Sequence, residues 1–204
     1  MKAPPRRVTV GLTGGIACGK SEVARIWREQ GIPVLDTDRV AHEVMAPGMP
    51  AYRAVVEAFG DDIVDEDGRI DRRLLGGQVF EAPSRLALLN RLVHPAVRQR
   101  WQAWREERQR AGEHAVVVIP LLFEAGADQG WDAVVCVSAT RPKMMERLAR
   151  RGLTGDAAAQ RIAAQLPVAE KAKRSDVVIE NNGTLDDLEQ AATATWQEIL
   201  AGAT

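Results

Sequence analysis

Eight consecutive residues hold the densest chemistry in this chain: Gly14, Gly15, Ile16, Ala17, Cys18, Gly19, Lys20 and Ser21. They match the pattern G-x-x-x-x-G-K-[ST]. Glycines at these positions let successive backbone N–H groups curve around a phosphate, and a following helix N-terminus adds partial positive charge. Lys20 is placed to reach the β- and γ-phosphates of a nucleoside triphosphate, and the Ser21 hydroxyl to share a Mg²⁺ ion with them. A second group is acidic. Asp36 and Asp38 follow the apolar run Ile32-Pro33-Val34-Leu35, where a strand gives way to a loop and a ligand meets strand ends. Helix capping is the competing use for either aspartate, but it needs only one of the two. The second carboxylate for a metal has few other sources. The run Ala115-Val116-Val117-Val118-Ile119 ends in Pro120-Leu121-Leu122-Phe123-Glu124, not in the Asp that closes a Walker-B strand, which leaves Asp36 or Asp38.

Other polar residues read differently. His94 has no acidic neighbour in sequence to form an acid–base relay, so packing or capping is its simpler use. Asp65-Glu66-Asp67-Gly68 matches D-x-x-G, yet an Asp-Gly turn between Ile63-Val64 and Arg69-Ile70 accounts for it. Lys143, Arg147, Arg150, Arg151 and Arg161 form a basic segment. It reads either as a solvated helix face with pairs such as Glu146–Arg150 or as a flap over a polyphosphate. Cys18 and Cys136 are the only cysteines, too few for a disulfide scaffold or a cysteine zinc site. Cys18 is either a small side chain within the loop or a thiol open to oxidation or alkylation.

These groups need a frame. Val8 to Thr13, β-branched at most positions, reads as a buried strand, and residues 22–30 place Val23, Ile26 and Trp27 on one helical face ahead of Gly31. Apolar runs at 32–35, 115–119, 133–138 and 177–180 supply four more strands, each separated from the next by helical segments. That alternation predicts an α/β fold: a five-stranded parallel sheet flanked by helices. Residues 39–100 lack a strong buried strand and read as a mostly helical insertion. Within it Ser84 is the expected N-cap of a helix over 85–93. A charged helix follows Trp101 and Trp104 to Arg110. At 204 residues the chain suits one domain with an inserted subdomain. Its 46% hydrophobic content and net charge of −1 draw it neither to nucleic acid nor to membrane. Lys2, Arg6 and Arg7 before the run to Cys18 faintly suggest an export signal, but cleavage there would destroy the glycine loop. The chain therefore reads as cytoplasmic.

Together, Gly11-Leu12-Thr13-Gly14-Gly15-Ile16 with Gly19-Lys20-Ser21, Val34-Leu35-Asp36-Thr37-Asp38, Leu92-Val93-His94-Pro95, Pro120-Leu121-Leu122-Phe123-Glu124, Arg161-Ile162 with Gln165, Lys171, and Val178-Ile179-Glu180-Asn181-Asn182-Gly183 resemble the dephospho-coenzyme A kinase family nearly end to end. The resemblance implies a P-loop NTPase fold of the nucleotide-kinase type. Its core would comprise residues 7–38, 101–140 and 171–204, with a helical acceptor-binding domain at 39–100 and a lid at 141–170. It implies transfer of the ATP γ-phosphoryl group to the ribose 3′-hydroxyl of dephospho-coenzyme A, with Mg²⁺ and small-molecule partners only, by a monomer or small homo-oligomer. Asp38 falls at the catalytic base, Asp36 and Ser21 at the metal, and Lys20 and Arg141 on the phosphates. Residues Gly14 to Glu22, Arg141 and Asn181 fall at the nucleotide, and Asp38, His94, Leu122 and Arg161 at the acceptor. Arg147 and Arg161 are further lid arginines. The family usually has Gly-Ser where Ala17-Cys18 stand, and Thr where Glu22 stands. Two other readings are a kinase of another small hydroxyl acceptor and a GTP-binding regulatory module. The second requires an N-K-x-D guanine signature, which the sequence lacks.

Overall fold

Alternation along the first strand decides how the sheet is built. The computed structural model describes residues 7–80, 82–153 and 155–202, so Lys2 and Arg6 lie outside the described residues. Strand β1 (Thr9–Gly14) is buried throughout. Val10 and Leu12 join an apolar cluster with Val23, Ile26 and Trp27 of α1 (Lys20–Glu29) and with Leu188, Ala192 and Trp196 of α9 (Leu185–Gly202). Trp27 Nε1 donates to Ala192 O at 3.0 Å, and the Trp27 and Trp196 rings lie 5.5 Å apart, tilted. Gly11 faces other neighbours: a methyl there would stand 2.9 Å from Leu122 Cδ1 and 3.2 Å from the Trp131 ring.

β1 is central. It pairs in parallel with β3 (Ala115–Val118) and β4 (Ala133–Ser138), while β2 (Val34–Asp36) lies outside β3 and β5 (Val177–Glu180) outside β4. The sheet is wholly parallel, in the order β2-β3-β1-β4-β5, as the apolar runs predict. Leu12, Val118 and Asp36 stand in register across three strands, so the loops leaving β1, β2 and β3 emerge at one edge. At the opposite edge carboxylates hold the strand starts. Asp132 accepts from Thr9 N at 2.8 Å and Thr9 Oγ1 at 2.9 Å, and Asp176 from Val134 N at 2.7 Å.

Two compact units divide the chain: Met1–Asp36 with Arg105–Thr204, and Thr37–Trp104. The second contains α2 (Thr37–Val44), α3 (Tyr52–Phe59), a short 3₁₀ turn at Asp61–Ile63 and α4 (Arg72–Phe80). The turn read at Asp65 to Gly68 is there: Asp65 Oδ1 accepts from Asp67 N and Arg69 N, and Val64 bridges Ile70 in antiparallel fashion. One boundary differs from the sequence reading. Instead of a helix capped by Ser84 and ending near residue 93, a single 28-residue helix, α5 (Pro83–Arg110), takes in Ser84 and runs through His94 and Pro95. Val93, Val97 and Trp101, each four residues on, bury one stripe. That burial outweighs the one helical hydrogen bond Pro95 cannot donate. In the first unit α6 (Arg141–Arg150), α7 (Gly155–Ala163) and α8 (Val168–Lys173) lie between β4 and β5 in the chain. Among the described residues no helix is long and apolar enough to cross a membrane.

Candidate functional site

The glycine loop leaves β1 through a backbone only glycine accepts. Gly14 has φ 145°, and a Cβ there would collide with Val137 O of the neighbouring strand at 2.2 Å. Gly19, at φ 105°, abuts the Asn181 side chain just as closely. Ala17 holds a left-handed φ of 58°, a conformation that costs a non-glycine residue about 1–2 kcal/mol. Lys20 opens α1 and turns its ammonium back over the loop, donating to Gly14 O at 3.0 Å and Gly15 O at 2.8 Å. The cation thus rests on two loop carbonyls beside a helix N-terminus. Ser21 follows, exposed in the first turn. Glu22 does not aim at the loop, because its carboxylate pairs with Arg25 at 2.6 Å on the next turn of the helix.

Three distant segments hold the loop in place. From α6, Arg147 Nη2 donates to Asn181 O at 2.9 Å and Asn181 Oδ1 at 3.0 Å, while Nη1 lies 3.3 Å from Ala17 O and 3.4 Å from Cys18 O. Asn181, buried just past β5, donates its Nδ2 to Cys18 O at 2.8 Å. After α7, Gln165 Oε1 accepts from Ile16 N at 3.0 Å. Its neighbour Leu166 donates its N–H to Glu124 Oε1 at 2.9 Å, and the same carboxylate meets Lys171 Nζ at 2.8 Å. Lys171 is fully buried and donates also to Pro120 O at 2.7 Å. Burial alone would raise the Glu124 carboxyl; the Lys171 ammonium and the backbone N–H groups outweigh it and hold the group below its ordinary value. The sequence reading noted Gln165, Glu124 and Lys171 within motifs but gave them no role, and no local spacing pairs them.

Beside the loop a cleft of about 270 Å³ is lined by Ala17, Gly19, Ser21, Arg147, Asn181 and Leu185 among others. It suits the remainder of a nucleotide whose phosphates occupy the amides. Asp36, half-buried at the end of β2, lies across β3 from β1, two strand spacings or about 10 Å from it. Ser21 and Asp36 are oxygen donors of the kind Mg²⁺ takes together with phosphates and waters. Among the described residues no three His, Cys, Asp or Glu side chains cluster to hold a metal unaided.

The remaining expected residues fall as follows. Asp38 is exposed in the first turn of α2. Arg141 is exposed at the first position of α6 and, unlike Arg147, makes no hydrogen bond to the loop among the described residues. Arg161 lies half-buried on α7. His94 sits on an exposed turn of α5; partial removal from water and the charge of Arg98 lower its pKa, favouring the neutral ring. Leu122 is fully buried, its side chain packed against Gly11. Cys18 is buried, in keeping with the reading of a small side chain within the loop. Burial raises its thiol, which Lys20 and Arg147 only partly offset, and burial lifts Cys136 to about 11. Both stay protonated and inert at neutral pH.

Comparison with known proteins identifies relatives of the whole chain. The family model described as dephospho-CoA kinase matches residues 8–187. The dephospho-CoA kinase of Geobacillus kaustophilus is 47% identical over 193 residues, 94% of this chain and 96% of that protein. A solved Thermus thermophilus protein has a TM-score of 0.75 at 37% identity, covering 95% of this chain and 98% of its own. The solved dephospho-CoA kinase of Campylobacter jejuni scores 0.67 at 25% identity, over 95% and 97% of the two chains.

Proposed function

This chain belongs to the dephospho-CoA kinase family, and from that premise we propose that it transfers the ATP γ-phosphoryl group to the ribose 3′-hydroxyl of dephospho-coenzyme A. The observation that carries the ATP half is the seating of the Lys20 cation on Gly14 O and Gly15 O of the glycine loop. A ribose hydroxyl is a poor nucleophile at neutral pH, and the γ-phosphate repels it. Catalysis is therefore chiefly alignment and neutralisation of charge that gathers on the leaving oxygen. Lys20 and the amides of the loop neutralise that charge. Mg²⁺, held by Ser21 with Asp36 nearby, would supply further charge neutralisation on the phosphates. Asp38 orients the 3′-hydroxyl and accepts its proton.

Residues 141–170 act as a lid. With Arg141, Arg147 and Arg161 they surround the polyphosphate and exclude water, so that phosphoryl transfer goes to the acceptor and not to solvent. The helical unit 37–104 receives the acceptor, with His94 among its contacts. Both substrates are soluble small molecules, which suits a cytoplasmic enzyme acting as a monomer or small homo-oligomer. The test is ATP turnover with dephospho-coenzyme A, AMP and pantothenate as acceptors, with the product's phosphate position read by ³¹P NMR. Dephospho-coenzyme A should be preferred by orders of magnitude and carry the new phosphate at the 3′ position. Preference for AMP would assign the chain to another acceptor.

A further inference from the structure

One peptide unit of the glycine loop is held from both sides. The Gly15 carbonyl accepts from Lys20 Nζ at 2.8 Å and from Cys18 N at 3.3 Å. The N–H across the same C–N bond, that of Ile16, donates to Gln165 Oε1 at 3.0 Å. In a trans peptide these two groups point opposite ways, so Lys20 and Gln165 stand on opposite sides of one plane. Restraint from within the loop is weak. The turn bond from Cys18 is long, and Gly14 and Gly15 are the most permissive pair a backbone can have. Rotation of the plane between Gly15 and Ile16 would carry the oxygen away from the ammonium, and Gln165 opposes that rotation. The two hydrogen bonds also strengthen each other, because each polarises the peptide that the other uses.

Gln165 is itself fixed by charged groups that have no part in the proposed chemistry. It lies half-buried in the turn between α7 and α8. Its neighbour Leu166 donates to Glu124, whose carboxylate pairs with the fully buried Lys171. Lys171 donates in turn to Pro120 O, and the same carbonyl accepts from Thr13 Oγ1 at 3.3 Å. The circuit leaves the chain at Thr13 and rejoins it at Ile16. It encloses Gly14 and Gly15, the two residues whose carbonyls seat Lys20. Packing closes the remaining gap, since a Cβ on Gly15 would stand 3.4 Å from Val168 Cβ at the start of α8. Burying an ammonium is costly even when it is paired, and an apolar side chain would fill the space without that cost. What the pair adds is a fixed direction for Gln165.

We propose that Gln165 is a positioning residue for phosphoryl transfer: by holding the Gly15–Ile16 peptide it aims the Gly15 carbonyl, and with it the Lys20 ammonium, at the phosphates of ATP. Gln165 touches no reacting atom and acts only through Lys20. The proposal rests on the reading that Lys20 serves the β- and γ-phosphates. A lysine on a flexible four-carbon stem gains most from such a seat, because its charge then needs no rearrangement when the phosphoryl group moves.

The test is a double-variant cycle between Gln165→Met and Lys20→Met. It reads the dissociation constant of ATP by isothermal titration and kcat with dephospho-coenzyme A, with thermal melts to show that each variant is folded. Methionine matches glutamine in length and offers only a weak acceptor; Gln165→Ala repeats the measurement should the methionine variant fold poorly. Gln165→Met should weaken ATP binding about threefold to tenfold, the size of one net hydrogen bond, and lower kcat by at least as much. In the Lys20→Met background the same substitution should change ATP affinity less than about twofold, because the group it positions is gone. Equal losses in the two backgrounds would make Gln165 a structural residue only and overturn the proposal. So would a Gln165→Met enzyme within twofold of wild type in both ATP affinity and kcat. Lys20→Met with wild-type affinity and turnover would instead overturn the reading of Lys20, and the role of Gln165 with it.

Discussion

Asp38 and Arg147 carry the predictions that belong to single residues. If Asp38 is the base, Asp38→Asn keeps the side chain's size and removes its proton affinity. Turnover should fall about 10²–10⁴-fold while ATP binding holds; near-normal turnover would remove Asp38 from that role. Arg147 and Arg141 separate by geometry. Arg147 is already hydrogen-bonded to Asn181 and lies over the carbonyls of Ala17 and Cys18, so Arg147→Ala should loosen the loop and raise KM for ATP about tenfold or more. Arg141 is exposed at the head of α6, so Arg141→Ala should leave ATP affinity near wild type and lower kcat. Isothermal titration beside steady-state kinetics reads both. At this scale the sequence disclosed what is contiguous. The octapeptide carries its own geometry, so Lys20 and Ser21 were readable. The burial of Leu122 was not readable, because a motif records which residues stand together, not which way each side chain faces.

The segment from Gln165 through α8 works as one element. It touches the loop through Ile16 and, through Leu166 and Lys171, the turn that follows β3. Lys171→Met keeps the aliphatic stem but strands the Glu124 carboxylate. Breaking a buried pair costs about 3–5 kcal/mol, and because the Glu124 side chain remains 25% exposed the lower end is expected. Thermal melts should register the loss, and the double variant Lys171→Met/Glu124→Gln should recover part of it. The sign with pH follows from the depressed Glu124 carboxyl. Its contribution is complete at neutral pH and is lost as pH falls from the ordinary carboxylate value, about 4.3, through the lower folded one. Strands were legible because a parallel strand buried on both faces writes an unbroken apolar run, as at Ala115 to Ile119. The continuity of α5 was not: Ser84 and Pro95 are local stop signals, while the stripe of Val93, Val97 and Trp101 that overrides them acts through tertiary burial. Arg147–Asn181 and Glu124–Lys171 are set by strand order, which no window of neighbouring residues contains.

Across the whole molecule, His114 marks where the chain's ends of sheet and helix meet. Its Nδ1 accepts from Val8 N at 3.2 Å, and its ring stands edge-on to Trp196 at 5.3 Å. Burial, helped by Arg7, lowers its pKa, so the folded protein favours the neutral ring. The stability it supports is complete above the ordinary histidine value, about 6.5, and declines as pH falls from there toward the lower folded value. Melting temperatures between pH 7 and pH 5 should drop in wild type and drop less in His114→Gln, with His94, lowered in the same direction, supplying the remainder. The pairing of Val8 with His114 spans 106 residues, and that of Thr9 with Asp132 spans 123. Both flanks of β1 therefore reach it only late in translation. A nascent chain still tethered to the ribosome with β4 inside the exit tunnel carries the complete glycine octapeptide but only one of the two walls that confine it. Competence to grip nucleotide is thus acquired near the end of synthesis, and premature termination yields polypeptide that displays the signature without its grasp.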